Sequence, residues 1–296
     1  MATAMGGTQA NTSESLDSSD SGGGVKFDLP PPGDIVLDDG CAAVDFLFVI
    51  DNSISMQDQQ NALKAAFPGF IEAIQNSLPT TDYHIMVADT DAEGRCSPGT
   101  CNHNTCQEAN QYACGNGFEA CDTIRGAGVI HPAGQGASNM LCQIQGGNRY
   151  IQEGQPDLEG TFECIASVGL AGHPSERPLD GIVEAVSAPL NAPGGCNEGF
   201  LRDDGILVVT FISDDPNLED ENTTQQAYDA VVAAKNGNPD AVVVLGLIPG
   251  NQPQWSDFIV MFGERGIEGP VSGGDYDQFF LDAVSTIEDT CLDFEG

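Results

Sequence analysis

Three apolar runs constrain this chain more than any other feature. Val44–Ile50, Ile206–Ile212 and Ala241–Ile248 are almost uninterrupted by polar side chains, and each is the length of a single strand. A half-exposed strand alternates apolar and polar residues. A continuous run belongs to a strand buried on both faces, which in practice means a parallel sheet between two layers of helices. The intervening sequence supplies the helices. Phe67, Phe70, Ile71, Ile74 and Leu78 recur at helical spacing within Asp58–Leu78, and Ile182, Val183, Val186 and Leu190 do so within Leu179–Leu190. Pro68-Gly69 predicts a kink or restart in the first of these. Asn222–Lys235, opened by the cap residues Asn222-Thr223-Thr224, Asp257–Gly263 and Asp275–Phe294 read as further helices. Tyr83–Ala88 reads as a second strand, and Val271 as part of a short edge strand. The expected fold class is α/β: a doubly wound, mostly parallel central sheet with helices on both faces.

Two regions fall outside this alternation. Residues 1–40 are Ser/Gly/Asp/Pro-rich, bury no apolar surface and read as a disordered tether. Residues from about 91 to 163 hold six of the ten cysteines and show little periodicity; they read as a Cys-braced insertion within a domain spanning 41–294. An even cysteine count with no CxxC pair points to disulfides in an oxidising compartment. The competing reading, a zinc site at Cys96, Cys101, His103 and Cys106, has marginal ligand spacing. The first residues are small and polar and do not form a signal peptide, so an export signal is expected to have been removed, with Met1-Ala2 an expression start.

Charge excludes whole classes of partner. The chain carries 45 acidic and 9 basic side chains, a formal net charge of −36, and no two basic residues are adjacent. Nucleic acid is excluded as a partner and anionic membrane surfaces are disfavoured. No apolar run is long enough to insert in a bilayer. The charge suits a salty or extracellular setting, cation binding, or solubility alone, and the strand ends show where a cation would bind. Ligands of open α/β sheets bind beyond the carboxyl ends of the strands. There Asp51 follows the first apolar strand, with Ser53 and Ser55 alternating behind it, and Asp214-Asp215 follow the strand Ile206–Ile212. Carboxylates that converge repel one another unless a hard cation lies between them, and an oxygen-only set suits magnesium or calcium, with manganese also admissible.

"DNSIS" at Asp51–Ser55 resembles the Asp-x-Ser-x-Ser motif of von Willebrand factor A domains, including integrin I domains, and "VVTFISDD" at Val208–Asp215 resembles the strand whose terminal aspartate completes their metal-ion-dependent adhesion site. "NEGFLRDDGILVVTFISDD" and "HPSERPLDGI" further resemble Cys-rich bacterial members of the family, often exported or lipid-anchored. The resemblance implies a metal site of Asp51, Ser53, Ser55 and Asp214. Where the family places a threonine this chain has Glu176, with Ser175 as the alternative; if neither the ion nor a partner uses Glu176, it is a solvated acid at a helix start. The resemblance also implies that the domain's ends meet, giving a Cys41–Cys291 disulfide. Cys164 is then paired with Cys196, and the six cysteines from Cys96 to Cys142 with one another.

The implied function is binding, not catalysis. An extracytoplasmic module, secreted, periplasmic or at the cell surface, would engage a protein presenting an acidic side chain, or a surface polymer, through an open coordination position. His84, His103, His131 and His173 fall in no catalytic motif. The alternatives are a surface protein in which metal only stabilises the fold and, behind it, a metal-dependent hydrolase. Asp214–Asn222 reads as a solvated acidic loop, since it lacks EF-hand spacing.

Overall fold

The computed structural model describes residues 40–91, 119–172, 176–215 and 219–294. The tether, Cys96, Cys101, His103, Cys106, His173 and Ser175 lie outside them. Six strands form one sheet: β1 (Ala43–Ile50), β2 (Tyr83–Asp89), β3 (Ile151–Gln152), β4 (Gly205–Ile212), β5 (Val242–Ile248) and β6 (Gly266–Pro270). Their spatial order is β3-β2-β1-β4-β5-β6. All neighbours are parallel except the short edge pair β2–β3. The chain thus winds outward from β1 in one direction and then, from β4, in the other. This is compatible with a Rossmann-like doubly wound fold, with its switch point between β1 and β4.

Period-two alternation within each buried strand divides the core in two. Phe46, Phe48, Ile206, Val208, Val243 and Leu245 face one layer, where they meet α1 (Gln57–Ser77), α2 (Leu158–Ala166) and α7 (Tyr276–Leu292). Leu47, Val49, Leu207, Phe211, Val242 and Val244 face the other, against α3 (Pro178–Ala185), α5 (Thr224–Ala233) and α6 (Pro253–Val260). Gly246 lies on this second face because a Cβ there would sit 2.4 Å from Ile259 Cδ1. The missing side chain lets α6 approach β5.

Several expectations shift. α1 is continuous through Pro68; one missing amide costs little beside the buried Phe67, Phe70 and Ile71 that hold the helix down on both sides of it. The helix expected over Leu179–Leu190 is instead two, α3 and α4 (Ala188–Asn191), parted at Val186-Ser187. Pro189 has no amide to give Ala185 O, and the Asn191 and Asn197 side chains supply one each, at 2.8 and 3.0 Å. α6 starts at Pro253 and not Asp257, and β6 ends just before Val271.

The described part of the insertion is built into the main core. Within α2, Phe162, Ile165 and Ala166 are buried, and the Phe162 ring stacks on Phe67 with centroids 3.6 Å apart. The Cys41–Cys291 bond is present, but Cys196 pairs with Cys121 and Cys164 with Cys142. The expected Cys164–Cys196 bond is excluded by the fold. Cys164 lies on α2, on one face of the sheet, whereas Cys196 follows the helices of the other face. Asn197 fixes its neighbourhood by bonding Gly126 O and accepting from Gly128 N, which brings Cys121 within reach. The insertion's cysteines therefore do not pair only among themselves. No helix among the described residues is long and apolar enough to cross a membrane.

Candidate functional site

At the switch point the sheet ladder runs one residue past β1: Asp51 N donates to Ile212 O at 2.9 Å. The chain then turns sharply, and the Asp51 carboxylate caps its own turn. Oδ1 accepts from Ser53 N at 2.7 Å, and Oδ2 accepts from Ser213 Oγ at 2.6 Å, just past β4. Beyond Asp51 the hydroxyls continue outward. Ser53 Oγ and Ser55 Oγ are 3.1 Å apart, and Ser55 Oγ donates to Asp214 Oδ1 at 2.7 Å. The four residues expected from the first and fourth strands are thus brought together in one hydrogen-bonded chain. Its inner end is fully buried and its outer end open: Asp51 is inaccessible to solvent, while Ser55 is exposed.

Burial drives the Asp51 carboxyl up to about 6; the hydrogen bonds from Ser213 and Ser53 oppose the rise, and the negative charge of Asp214 adds to it. Glu176 is also wholly buried and lies in an isolated bridge with Asp91, so it is not the solvated helix-start acid of the alternative reading. Thr90 Oγ1 donates to its Oε2, its backbone amide donates to Asp215 Oδ2 at 3.3 Å, and its Oε1 has no hydrogen-bond partner. Burial raises the Glu176 carboxyl well above the usual range, and the charges of Asp51, Asp91 and Asp89 raise it further.

Asn52 joins these groups. Its Nδ2 donates to Asp91 Oδ2 at 3.2 Å, its carbonyl accepts from Gly172 N at 3.1 Å, and its buried Oδ1 has no partner. A Cβ on Gly172 would lie 2.1 Å from that Oδ1, so only glycine admits Asn52 here.

The donor chemistry fits a hard cation. All groups are oxygen donors, the neighbouring charges are negative, and two buried oxygens, Glu176 Oε1 and Asn52 Oδ1, have no hydrogen donor. Carboxylates alone do not make the site: among the described residues no three His, Cys, Asp or Glu side chains form a group that could hold a metal. Any ion here needs the serine hydroxyls as well.

Asp89, Thr90 and Asp91 were missed in the sequence, although the signal was present: like Asp51 and Asp214, they stand at or just past the end of an apolar strand. Asn52 and Ser213 also stand just past strand ends, but their roles, like that of Gln60, depend on long-range contacts that this signal does not announce. The acidic segment after β4 is also more structured than expected. Asp215 is buried, Asp220 accepts from Trp255 Nε1 at 2.9 Å and from Asp180 N at 3.0 Å, and Asp180 in turn accepts from the amides of Glu221 and Asn222. These reciprocal bonds tie Asp220 and Asn222 to α3 and α6, while the Glu219 and Glu221 side chains stay exposed, as expected of a solvated loop.

No protein-family model matches this chain, and no curated protein does. Among solved structures, proximal thread matrix protein 1 from the mussel byssus superposes with a TM-score of 0.43 at 10% identity, over 83% of this chain and 48% of that protein. The chain thus spans about half of that protein's length, and so loose a superposition has no bearing on the fold or the site.

Proposed function

We propose that residues 41–294 form a von Willebrand factor A-like binding module that holds a divalent cation at the β1–β4 switch point and engages an acidic partner through it. The observation that carries this reading is the hydrogen-bonded chain from Ser213 through Asp51, Ser53 and Ser55 to Asp214, which joins two strand ends that lie 163 positions apart, counted from Asp51 to Asp214, in the sequence. Asp51, Ser53, Ser55 and Asp214 would hold the ion, with Glu176 as a third carboxylate and Ser175 as its alternative. Magnesium and calcium both suit such a set, and manganese is admissible. When bound, the ion would offer a coordination position to a partner's carboxylate, on a protein or a surface polymer.

The buried part of the site would anchor the cation, and the half-buried Ser53 and Asp214 with the exposed Ser55 would form its mouth. The protein's own negative charge makes an acidic partner a poor match anywhere except at a bound cation. The three disulfides among the described residues fit an oxidising compartment, and an extracytoplasmic location, secreted, periplasmic or on the cell surface as a lipoprotein, follows from that reading.

Isothermal titration of the full chain with magnesium and with calcium tests the cation. Binding is expected for at least one ion, with loss in Asp51→Ala. Equal heats from the two proteins, or none from the wild type, would remove the adhesion-site reading. A binding role further predicts that an acidic peptide or polymer associates only with cation present. If cation raises the melting temperature and no acidic ligand ever associates, the metal serves the fold alone.

A further inference from the structure

Asp51 keeps its amide in the sheet ladder, but its carbonyl has passed the end of the strands. A buried carbonyl without a donor is destabilising. The donor comes from α1. Gln60, almost wholly buried, donates through Nε2 to Asp51 O at 3.0 Å and to Gly169 O at 2.8 Å, while its Oε1 accepts from Gly169 N at 3.3 Å. Both ends of one side-chain amide are therefore engaged across three separate segments. Gly169 holds a φ of +94°, and a Cβ there would press on Ala137 at 2.9 Å, so the backbone is fixed at the point where Gln60 grips it. Three residues on, Gly172 N donates to Asn52 O. The Asp51-Asn52 backbone is thus held at two successive carbonyls, by Gln60 and by Gly172. The Asp51 carboxylate and the Ser53 amide extend from that backbone.

We propose that Gln60 is a positioning residue for the cation site. It bonds to the side chain of none of the candidate ligands. It sets the orientation of the turn from Asp51 to Ser53 against the 167–172 segment, and so the spacing between oxygens that an ion would experience. The inference rests on the cation reading above and goes further, because it predicts which ion suffers when the grip is lost. Magnesium demands near-ideal octahedral geometry, whereas calcium accepts variable coordination and longer bonds. A loosened turn should therefore weaken magnesium binding more than calcium binding.

The test compares Gln60→Met with Gln155→Met. Gln155 is a buried amide of the same kind, bonded to Gln143 O, Pro156 O and Thr161 Oγ1 within the insertion. Both variants lose stability. Gln60→Met is expected to weaken magnesium binding by about 10- to 100-fold, the usual cost of losing an outer-shell partner, and calcium binding clearly less. Gln155→Met is expected to leave the magnesium-to-calcium affinity ratio unchanged. Equal weakening of both ions by Gln60→Met, or the same change of ratio in Gln155→Met, overturns the proposal. A wild type that binds neither ion overturns the cation reading, and the positioning role with it. A wild type that binds, with a ratio insensitive to Gln60, overturns the positioning role alone. If Gln60→Met does not fold, hydrogen exchange on the wild type decides. The Gly169 amide is expected to gain protection on adding magnesium, and an unchanged exchange rate overturns the proposal.

Discussion

At the residue scale, the buried charges at the opposite end of the sheet from the candidate site show how an acidic chain uses its few cations. Asp45 is inaccessible within β1, and Arg202 reaches it with both its backbone amide and Nε, at 2.8 Å each, while its other nitrogens bond Asp82 and Val44 O. Asp45→Ala would leave Arg202 half-buried without its main partner and should cost about 3–5 kcal/mol in urea unfolding. His84 lies 3.6 Å from the same carboxylate but does not form an ion pair with it. Its Nδ1 donates to Phe200 O at 2.8 Å, and its Nε2 accepts from Gln152 Nε2 at 3.2 Å, which is the bonding of a neutral ring. Burial pushes His84 down to about 4 and Asp45 up to about 6, the latter against the pull of Arg202. The two act in opposite directions. Folded Asp45 retains a proton that the unfolded chain releases, so stability falls as pH rises from about 4 to 6. The unfolded chain protonates His84 first, so that contribution is lost as pH falls from about 6.5 to 4. His84→Gln removes the second effect. Relative to wild type, its stability should drop by about 2–3 kcal/mol between pH 4.5 and 6.5. Parallel pH dependences in the two proteins would refute the assignment.

At the element scale, the sequence revealed most where burial makes a periodic signal. The apolar strands and the Phe67–Ile74 face of α1 were legible because a parallel sheet demands continuous runs, and a helix packed on it demands spacing of three and four. α7 was legible as a helix from Asp275, whose capping bond from Gln278 N at 3.0 Å only the structure shows, and α5 was legible from Thr223, which caps it. α2 was not. Its nine residues follow a Gly-rich, Cys-rich stretch, and its cap is an Asp157 with a φ of +50°, a conformation that composition does not announce. Its importance is nevertheless considerable. Phe162 stacks on Phe67 and meets Phe48 edge-on, so Phe162→Ala should cost about 3–5 kcal/mol in chemical denaturation, as for a central core phenylalanine. A loss under about 1 kcal/mol would show that the insertion only lies against the core. The disulfides divide in the same way. Cys41–Cys291 follows from the way the fold closes, whereas the other two depend on which face of the sheet each cysteine reaches, and spacing does not encode that.

At the scale of the whole molecule, a formal charge of −36 leaves the fold working against self-repulsion. All five arginines described here bridge to carboxylates, yet the chain carries 45 acidic side chains against 9 basic ones. Potassium chloride should therefore raise the melting temperature by screening. Magnesium or calcium at matched ionic strength should raise it further, since an ion that binds only the folded chain adds stability in proportion to the logarithm of its concentration. Coincident curves for the monovalent and divalent salts would argue against a specific site. The sequence made the strand-end acids at this site legible, because Asp51 and Asp214 each follow an apolar run. The grip of Gln60 and the depth of Glu176 emerge only from packing.

The sulfur bridge between Cys41 and Cys291 also governs how the domain bears tension. The 250 positions it closes lie outside the path of a force applied through the flanking chain, which passes across one covalent bond and leaves the sheet unloaded. Stretched between handles placed before Cys41 and after Cys291, the oxidised protein should release no hidden length. Once its bridges are reduced, it should pay out on the order of 80 nm of chain.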